Sequence, residues 1–356
     1  MTKAIVFLLT ICLLALQHTI GCTTFLINKD GQLVFGRNYD WMTGSGMVCT
    51  NLRGLAKTSA NQGKDITISW VSKYGSITFN QYGKEFPTGG MNEKGLVVEI
   101  MWLDGSRYPK PDQRASMDVL QWVQYQLDNH STIEEIIATD SKIRISPENP
   151  PLHYLVADAS GKAATIEFLN GKMVVHKGKD LPFAVLTNST YEQSVKAANS
   201  ANVAAGNTRF SFQDNSLQRF ATACSMVQQY SADKIDKPVV DYSFDILNKV
   251  ANGDYTKWSI VYDIKNLKVH FKTYGYYDVK TVDYQSFDFS CTAGSKVINM
   301  NQAMKGNINN LFKPFSEASN RATVEKSVAE SKDQVPIDAA TREFILAYPR
   351  NIKCKQ

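Results

Sequence analysis

The residue that most constrains this chain is Cys22, which directly follows a segment typical of a removable secretion signal. Lys3 precedes an apolar run of 13 residues, 4–16, and no acidic residue occurs before Cys22. That run is short for a retained anchor, since a helix needs roughly 20 residues to cross a bilayer core of about 30 Å. Thr19 and Gly21 have the small side chains that a signal peptidase favours just before its cut. The pattern predicts cleavage before Cys22, so the fold would begin at a residue with both a thiol and a free α-amine.

Two other interpretations of Cys22 are open. The residue could be the acceptor of a lipoprotein anchor, or it could be the first structural cysteine of a secreted protein. A lipoprotein signal usually has leucine or another aliphatic residue three positions before the cysteine, where this chain has Thr19. The distinction matters because a lipid thioether would use up the sulfur. We therefore predict a secreted or periplasmic protein, with a lipid-anchored surface protein as the alternative.

The composition is that of a globular protein and gives no sign of nucleic-acid binding. With 43% hydrophobic and 11% aromatic residues, the chain can bury a sizeable core. Its 39 Lys and Arg and 34 Asp and Glu are spread along the sequence rather than collected into basic runs. No HExxH, P-loop or GxGxxG motif lies in a suitable context, so the sequence implies neither a cofactor nor a metal.

The cysteine count predicts a free thiol. After removal of residues 1–21 an odd number of cysteines remains, namely Cys22, Cys49, Cys224, Cys291 and Cys354. In an oxidising compartment at least one of them should stay unpaired, and we expect this to be Cys22. The pairing of the other four stays open, because Cys291 and Cys354 could bond to each other or be buried separately.

Hydrophobic periodicity predicts groups of strands separated by helices. The predicted strands are 23–28, 32–37, 66–71, 76–81, 96–103, 152–157, 164–168, 173–177, 183–186, 258–264 and 267–273. The predicted helices are 116–129, one that starts at a capping box over 131–134, 213–230 and 242–251. Asn170-Gly171 is a strong hairpin signal. This order is typical of an α+β layered domain rather than a βαβ repeat.

Catalysis by Cys22 would not need a histidine. The α-amine of an N-terminal residue has a reference pKa of about 8 and lies close to its own thiol, so it can act as the base. Arg37 and Asp40 lie near the end of a predicted strand. A guanidinium close to the sulfur favours the thiolate, and a carboxylate can hold the α-ammonium. Taken alone, the two residues could equally form a strand-end ion pair.

Several motifs match a known family in the same order. They are Cys22-Thr-Thr-Phe25, Phe35-Gly-Arg-Asn-Tyr-Asp40, Gly90-Met-Asn-Glu-Lys-Gly-Leu96, Pro151-Leu-His-Tyr-Leu-Val-Ala-Asp158, Val185-Leu-Thr-Asn-Ser189, Ser216-Leu-Gln-Arg-Phe220 and Trp258 to Asp263. Together they resemble the choloylglycine hydrolase and penicillin V acylase family, whose members are N-terminal nucleophile hydrolases of linear amides. The resemblance covers roughly residues 22 to 285.

The resemblance implies a role for each of five residues. Cys22 would be both nucleophile and α-amine base, and Arg37 and Asp40 would support it. Asn188 would offer its side-chain amide to the oxyanion, and Arg219 would add positive charge to the pocket. The implied reaction is hydrolysis of a linear, non-peptide amide through a thioester acyl-enzyme. Without the resemblance, Asn188 could be a turn residue and Arg219 a surface cation of a helix.

One departure from the family pattern affects the substrate. Trp102 stands where many bile-salt hydrolases have asparagine, so only its backbone N–H could serve the oxyanion hole. Trp41 could join Trp102 as an aromatic wall for an apolar acyl group, although both could be core packing. The resemblance implies conjugated bile salts or related N-acyl amides. Penicillin V, N-acyl amines and acyl-homoserine lactones are alternatives, as is a lipid-anchored surface protein that binds without catalysis.

The resemblance also implies an architecture. We expect a signal peptide over 1–21 and an N-terminal nucleophile amidase domain over 22–290, in which two antiparallel sheets lie between helix layers as a four-layer αββα sandwich. Residues 291–356 would form a C-terminal extension packed on or trailing that domain. The implied partners are a small-molecule amide and other copies of the chain in a homotetramer, without nucleic acid or stable membrane insertion.

Overall fold

The computed structural model describes residues 21–60 and 65–355, which form short strands and seven helices within those ranges. The strands are β1 (Thr23–Lys29), β2 (Gln32–Asp40), β3 (Met47–Asn51), β4 (Leu55–Thr58), β5 (Ser69–Val71), β6 (Ser76–Asn80), β7 (Pro87–Asn92), β8 (Val97–Trp102), β9 (Ala115–Met117), β10 (Ile143–Ile145), β11 (Leu152–Ala157), β12 (Ala163–Leu169), β13 (Lys172–Lys177), β14 (Val185–Leu186), β15 (Thr256–Asp263), β16 (Lys268–Thr273), β17 (Tyr276–Asp283), β18 (Lys296–Asn299), β19 (Gly306–Asn307), β20 (Lys313–Pro314) and β21 (Lys353–Cys354). The helices are α1 (Val119–Asn129), α2 (Ile133–Ala138), α3 (Tyr191–Ser200), α4 (Asn215–Gln229), α5 (Val239–Lys249), α6 (Glu317–Ser331) and α7 (Ala339–Ala347). Apart from Gly21, the predicted signal peptide lies outside the described residues.

Most strands belong to two large sheets. The first sheet has the order β14-β1-β2-β15-β16-β17-β19, and the second has the order β13-β12-β11-β8-β7-β6-β3-β18-β20. Neighbouring strands are antiparallel, except that β19 pairs with β17 in parallel. Close packing of the first sheet depends on Gly36 in β2, because a Cβ at this position would clash with the ring of Phe25 on β1.

The side chains of the second sheet show how the layers are ordered. Along β8, Val97 and Met101 belong to the core shared with the first sheet, whereas Val98 and Ile100 belong to a separate core with α1 and α2. This alternation is what a strand buried on both faces produces. On the outer face of the first sheet, α4 and α5 pack against β1 and β2. The order is therefore helices, sheet, sheet, helices, which confirms the predicted α+β four-layer fold.

Most predicted elements occur close to their expected bounds. The Asn170-Gly171 turn joins β12 to β13 with both residues at positive φ (53° and 76°), as its sequence predicts. The predicted capping box was wrong by one residue, since Thr132 and Glu135 form it at the start of α2. The predicted helix over 116–129 begins only at Val119, because the preceding residues form the short strand β9.

Some elements were not predicted. They include β3, β7, β17 and the helices α3, α6 and α7. The last two lie in the segment 291–356, which also adds β18 to the edge of the second sheet next to β3. A disulfide joins Cys291 to Cys354, while Cys22, Cys49 and Cys224 are free thiols. The expectation of an unpaired Cys22 is met in the described structure.

No helix within 21–60 and 65–355 is long and apolar enough to cross a membrane.

Candidate active site

The hairpin of β1 and β2 brings the first predicted site residues together. The two strands are antiparallel, with Thr23 opposite Asn38 and Thr24 opposite Arg37. Cys22 at the start of β1 therefore lies beside the end of β2, where Asp40 is located. The Sγ atom of Cys22 lies 3.5 Å from the backbone N of Asp40, in a hydrogen bond from that N–H. The turn that was predicted from sequence thus fixes the position of the thiol relative to the carboxylate.

Cys22 lies at the edge of a cavity but is itself nearly enclosed. Its side chain is buried, and burial raises the pKa of the thiol above its ordinary value. The positive charges of Arg37 and Arg219 act in the opposite direction, as does the backbone N–H of Asp40. Gly21 is still joined to Cys22 in the described chain, so the nitrogen of Cys22 is a peptide nitrogen in this geometry. A side chain in place of Gly21 would clash with the guanidinium of Arg219.

Arg37 is held in a fully buried position beneath the thiol. Its guanidinium forms an ion pair with Glu99 and donates to the carbonyl oxygens of Thr88 and Ile100, each at 3.0 Å. The hydroxyl of Tyr262 donates to the other carboxylate oxygen of Glu99 at 2.5 Å. Burial raises the pKa of Glu99 to about 7, although Arg37 and Tyr262 lower it. Arg37 thus has a fixed orientation toward the site.

Asp40 is buried, and no ion-pair partner for it occurs among the described residues. Within 21–60 and 65–355, no donor makes a hydrogen bond of normal geometry to either carboxylate oxygen, although the Thr256 hydroxyl is near enough to lower the pKa. Burial dominates and raises the pKa of Asp40 to about 6, against the charges of Arg219 and Arg37. The charged form of a buried carboxylate without an ion-pair partner is stabilised by any positive group placed next to it.

Arg219 connects the start of β1 to Asn188. Its guanidinium donates to the carbonyl oxygen of Cys22, to the hydroxyl of Thr23 at 2.7 Å and to Oδ1 of Asn188 at 2.9 Å. Asn215, one turn earlier on α4, accepts from Nε at 2.7 Å. Burial lowers the pKa of Arg219, while Asp40 and Cys22 raise it. Since four acceptors fix the guanidinium, the position of Asn188 relative to Cys22 is fixed as well.

The amide of Asn188 is oriented by its neighbours on both sides. Because Arg219 donates to Oδ1, the amide nitrogen faces the other way, and it donates to the carbonyl oxygen of Trp102 at 2.8 Å. This bond uses one of the two N–H groups of the amide. The N–H of Leu103 donates to Pro151, so the N–H of Trp102 points to the opposite edge of β8, away from β11.

Trp41 and Trp102 form one wall of the cavity. Their ring centroids lie 5.8 Å apart at an angle of 37°. The indole N–H of Trp41 donates to the hydroxyl of Tyr82 at 2.7 Å, and that of Trp102 donates to Asp104 at 2.6 Å. The cavity has a volume of about 990 Å³, and its lining includes Cys22, Trp41 and Trp102. All seven predicted site residues therefore lie at or next to one end of this cavity.

Two supporting residues were missed by the sequence analysis. Glu99 could have been found from the sequence, because it is the one charged residue in the apolar stretch 96–103. Its carboxylate fills the space beside Gly89 on β7, where a Cβ would clash with it. Tyr262 gave no signal, since an aromatic residue in a predicted strand is ordinary core. We call Cys22, Arg37, Asp40, Glu99 and Arg219 the site cluster.

Metal-binding geometry is absent from the described part of the chain. Across residues 21–60 and 65–355, no group of three His, Cys, Asp or Glu side chains could hold a metal ion. His153, on β11, is buried and bonded to Glu167 at 3.2 Å and to the carbonyl of Thr187 at 2.7 Å. It supports the strand end before Asn188 and does not contact Cys22.

Comparison with known proteins identifies relatives over most of the chain. Residues 22–299 match the model of the family described as linear amide C-N hydrolases, choloylglycine hydrolase family. The chain is 26% identical to a penicillin V acylase of Pectobacterium atrosepticum over 80% of this chain and 89% of that protein. It is 28% identical to a bile salt hydrolase/transferase of Clostridium perfringens, over 47% of this chain and 53% of that protein.

Solved structures show the same fold. The penicillin V acylase from Agrobacterium tumefaciens superposes with a TM-score of 0.73 at 25% identity, over 83% of this chain and 98% of that one. A mutant of the conjugated bile acid hydrolase from Clostridium perfringens superposes with a TM-score of 0.64 at 19% identity, over 81% of this chain and 99% of that one.

Proposed function

This chain belongs to the linear amide C-N hydrolases of the choloylglycine hydrolase family, and we propose that it cleaves its amide substrate with Cys22 as an N-terminal nucleophile. The family match begins at Cys22, the residue that follows the predicted signal. The single observation that carries the proposal is the buried contact of the Cys22 sulfur with the end of β2, beside an Asp40 that makes no ion pair in the described residues. Cleavage before Cys22, and with it secretion, is part of the proposal.

The unpaired state of Asp40 supports the presence of a new α-amine at Cys22. Cleavage would release an ammonium group next to a buried carboxylate that has no hydrogen bond of normal geometry from any donor in the described residues. The carboxylate would then hold that group in place, and the ammonium would lower the pKa of Asp40. The chain before cleavage thus lacks one positive charge that the proposed mature enzyme would supply.

The proposed reaction has two halves. The α-amine takes the proton of the thiol, and the Cys22 sulfur attacks the amide carbonyl to form a tetrahedral oxyanion. Asn188 and the backbone N–H of Trp102 donate to that oxygen. The α-ammonium then gives its proton to the leaving nitrogen, and the C–N bond breaks to leave a thioester. Water gives a proton to the same amine as it attacks the thioester, the C–S bond breaks, and the α-ammonium returns the proton to the leaving sulfur, so that the acid and the free thiol are released.

Arg37 and Arg219 have electrostatic roles in this scheme. Both lower the pKa of a thiol that burial raises, so they favour the thiolate that attacks. Arg219 also orients Asn188 through the bond to its Oδ1 at 2.9 Å. An oxyanion donor that is already in place needs no reorganisation during the reaction, which is why such a group is worth about 2.7 to 4 kcal/mol.

The tryptophan pair supports an amide with an apolar or aryl acyl group as substrate. Trp41 and Trp102 offer two aromatic faces, inclined by 37° to each other, in the cavity that Cys22 also lines, which suits a phenoxyacetyl or fatty acyl group. Trp102 lacks the side-chain amide expected for strict bile-salt recognition. We therefore place penicillin V and N-acyl amines before conjugated bile salts, which remain in the test.

The experiment is a substrate panel with an acyl-enzyme trap. The mature protein is given penicillin V, N-acyl amines, acyl-homoserine lactones and conjugated bile salts, and rapid acid quenching followed by mass spectrometry locates the acyl group. We expect hydrolysis of at least one class and an acyl adduct on Cys22. Cys224→Ala, which removes a buried free thiol elsewhere in the core, is the matched control and should keep activity. Substantial activity in Cys22→Ala would falsify the mechanism.

A further inference from the structure

Part of the cavity is built by the C-terminal segment. This part of the lining comes from the loop between α6 and α7 and from α7 itself. Gln334 and Thr341 also line the cavity from this segment, and we call its five apolar lining residues the C-terminal wall, namely Val335, Pro336, Ile337, Phe344 and Ile345. The family match ends at residue 299, so the wall lies beyond the part of the chain that the family model covers. One cavity therefore joins the nucleophile to a segment that the sequence analysis left without a function.

The C-terminal wall is packed firmly against the body of the protein. Tyr82 belongs to a small buried core with Val324, Val328 and Leu346, against which Ile337 packs. Gly83 permits this contact, because a Cβ there would lie 2.8 Å from Ile345. The wall is thus a fixed surface rather than a loose end of the chain.

A hydrogen-bond relay connects the tail to the tryptophan in the site. The indole of Trp41 donates to the hydroxyl of Tyr82 at 2.7 Å, and that hydroxyl donates to the Ser331 hydroxyl at 2.8 Å. Ser331 is the last residue of α6 and in turn donates to the carbonyl of Ser327 at 2.7 Å. The end of α6, where the wall begins, is therefore positioned together with Trp41.

The distal end of the segment is anchored as well. The Cys291–Cys354 disulfide closes the segment covalently, with a sequence separation of 63. β21 pairs with β4 next to this bond. Asn320 on α6 accepts from the backbone N–H of Lys84 at 3.0 Å. These attachments at both ends hold the wall at a set distance from the nucleophile.

The chemistry of the wall specifies an apolar occupant. Its five side chains are aliphatic or aromatic and carry no charge, whereas the acidic lining of the cavity comes from other segments, namely from Asp40, Asp65, Asp118 and Glu148. A volume of about 990 Å³ is large enough for a substrate that extends from Cys22 to the wall.

We propose that the C-terminal wall forms the end of the acyl pocket and sets the length of the acyl group that is accepted. This inference rests on the proposed function, since it assumes that the carbonyl carbon is placed at the Cys22 sulfur. On this proposal an acyl chain runs from this point along the tryptophans, and its end contacts Val335 and Phe344, which line the same cavity. The wall acts as a specificity determinant and takes no part in bond making.

The test compares acyl-length profiles of variants. Acyl anilides with straight chains that differ by one methylene are hydrolysed by the mature protein and by Phe344→Ala and Val335→Phe. Phe344→Ala enlarges the pocket and should move the optimum of kcat/KM to longer chains, whereas Val335→Phe should move it to shorter chains. We expect changes of about tenfold or more per methylene near the optimum, the usual discrimination of an apolar pocket. Leu311→Ala, an exposed apolar residue elsewhere in the tail, should leave the profile unchanged.

A binding measurement separates this inference from the proposed function. In a Cys22→Ala background, free fatty acids with the same straight chains are titrated by the change in tryptophan fluorescence, which does not need turnover. If the wild type hydrolyses no anilide, that result counts against the proposed function. The inference about the wall is still tested, because it predicts that Phe344→Ala binds longer chains best and Val335→Phe shorter ones. An unchanged length preference in both wall variants would overturn the inference.

Discussion

The site cluster and a second cluster of buried charge differ in how completely their charges are paired. In the second, which we call the lysine cluster, Lys57 contacts Glu85 at 2.5 Å and Asp128 at 2.9 Å, and Lys84 contacts Glu85 at 2.7 Å. The indole of Trp70 also donates to Asp128 at 2.8 Å. Every charged group in this cluster therefore touches an opposite charge, as a purely structural network requires.

The site cluster is incomplete by comparison. Arg37 and Glu99 form an ion pair, but Asp40 and Arg219 make no ion pair within the described residues. One carboxylate of each cluster shows the effect of the lysines on the pKa. Although burial raises the pKa of Glu85, the two lysines lower it to about 2, whereas burial raises the pKa of Asp40 to about 6. Burial also raises the pKa of the ion-paired Asp128 and Glu99, so one ion pair alone does not lower the pKa of a buried carboxylate here. The proposed α-ammonium of Cys22 would supply the positive group that Asp40 lacks in this cluster.

Removing one cation from each cluster should separate the two roles. Arg37→Met and Lys57→Met each leave buried carboxylate unpaired and should lower the free energy of unfolding by about 3–5 kcal/mol. Only Arg37→Met should also reduce kcat/KM, because Arg37 lowers the pKa of the Cys22 thiol. Denaturant unfolding and kinetics at a temperature where both variants are folded measure the two effects. If Arg37→Met and Lys57→Met lost the same activity per folded molecule, the site cluster would not differ from the lysine cluster in its role in catalysis.

The proposed oxyanion role of Asn188 predicts an effect on kcat alone, without the loss of stability that is expected for Arg37→Met. Asn188→Ala removes the amide that Arg219 orients, and we expect kcat to fall by about 10²–10³ with little change in KM. The neighbouring Ser189, whose hydroxyl donates to Ser216 at 2.9 Å, provides the control, and Ser189→Ala should keep kcat. A large rise in KM with an unchanged kcat would assign Asn188 to ground-state binding instead.

Glu99 predicts a pH dependence of stability. Its pKa in the folded protein is about 7, above the unfolded value near 4.5, so the folded state binds more protons between these values. Stability from this group is present below about pH 4.5 and is lost as the pH rises through 7, by about 3 kcal/mol in total. Glu99→Gln should remove this part of the slope, even though the variant leaves Arg37 unpaired and is less stable throughout. Denaturant unfolding of both proteins across this range measures the slope, and identical slopes would contradict the assignment.

Local sequence signals were sufficient for much of the fold. The Asn170-Gly171 turn and the β1–β2 hairpin follow from residues that lie next to each other in the chain. The hairpin alone places Cys22 beside Asp40, which is why this part of the site could be predicted. The helix α3 was missed although Thr190 and Gln193 form its capping box, so that omission was avoidable.

Other features depend on contacts between distant residues. β7 contains Pro87 and Gly89, which disfavour a strand by propensity, yet Gly89 is needed there because the Glu99 carboxylate occupies the adjoining space. The C-terminal wall reaches the cavity only because α6 and α7 pack on Tyr82. Neither arrangement has a periodicity that a single sequence could show. The homotetramer that the resemblance implies stays a prediction.

The central claim is that Cys22 is a free N-terminal nucleophile, and the intact mass and N-terminal sequence of the secreted protein test it most directly. Both are measured before and after brief treatment with a thiol alkylator. We predict a chain that begins at Cys22 and takes up one label there, because Cys22 lines the cavity, whereas Cys49 and Cys224 are buried thiols outside its lining and stay unlabelled. A chain whose Cys22 is lipid-modified, or still joined to Gly21, would contradict the account.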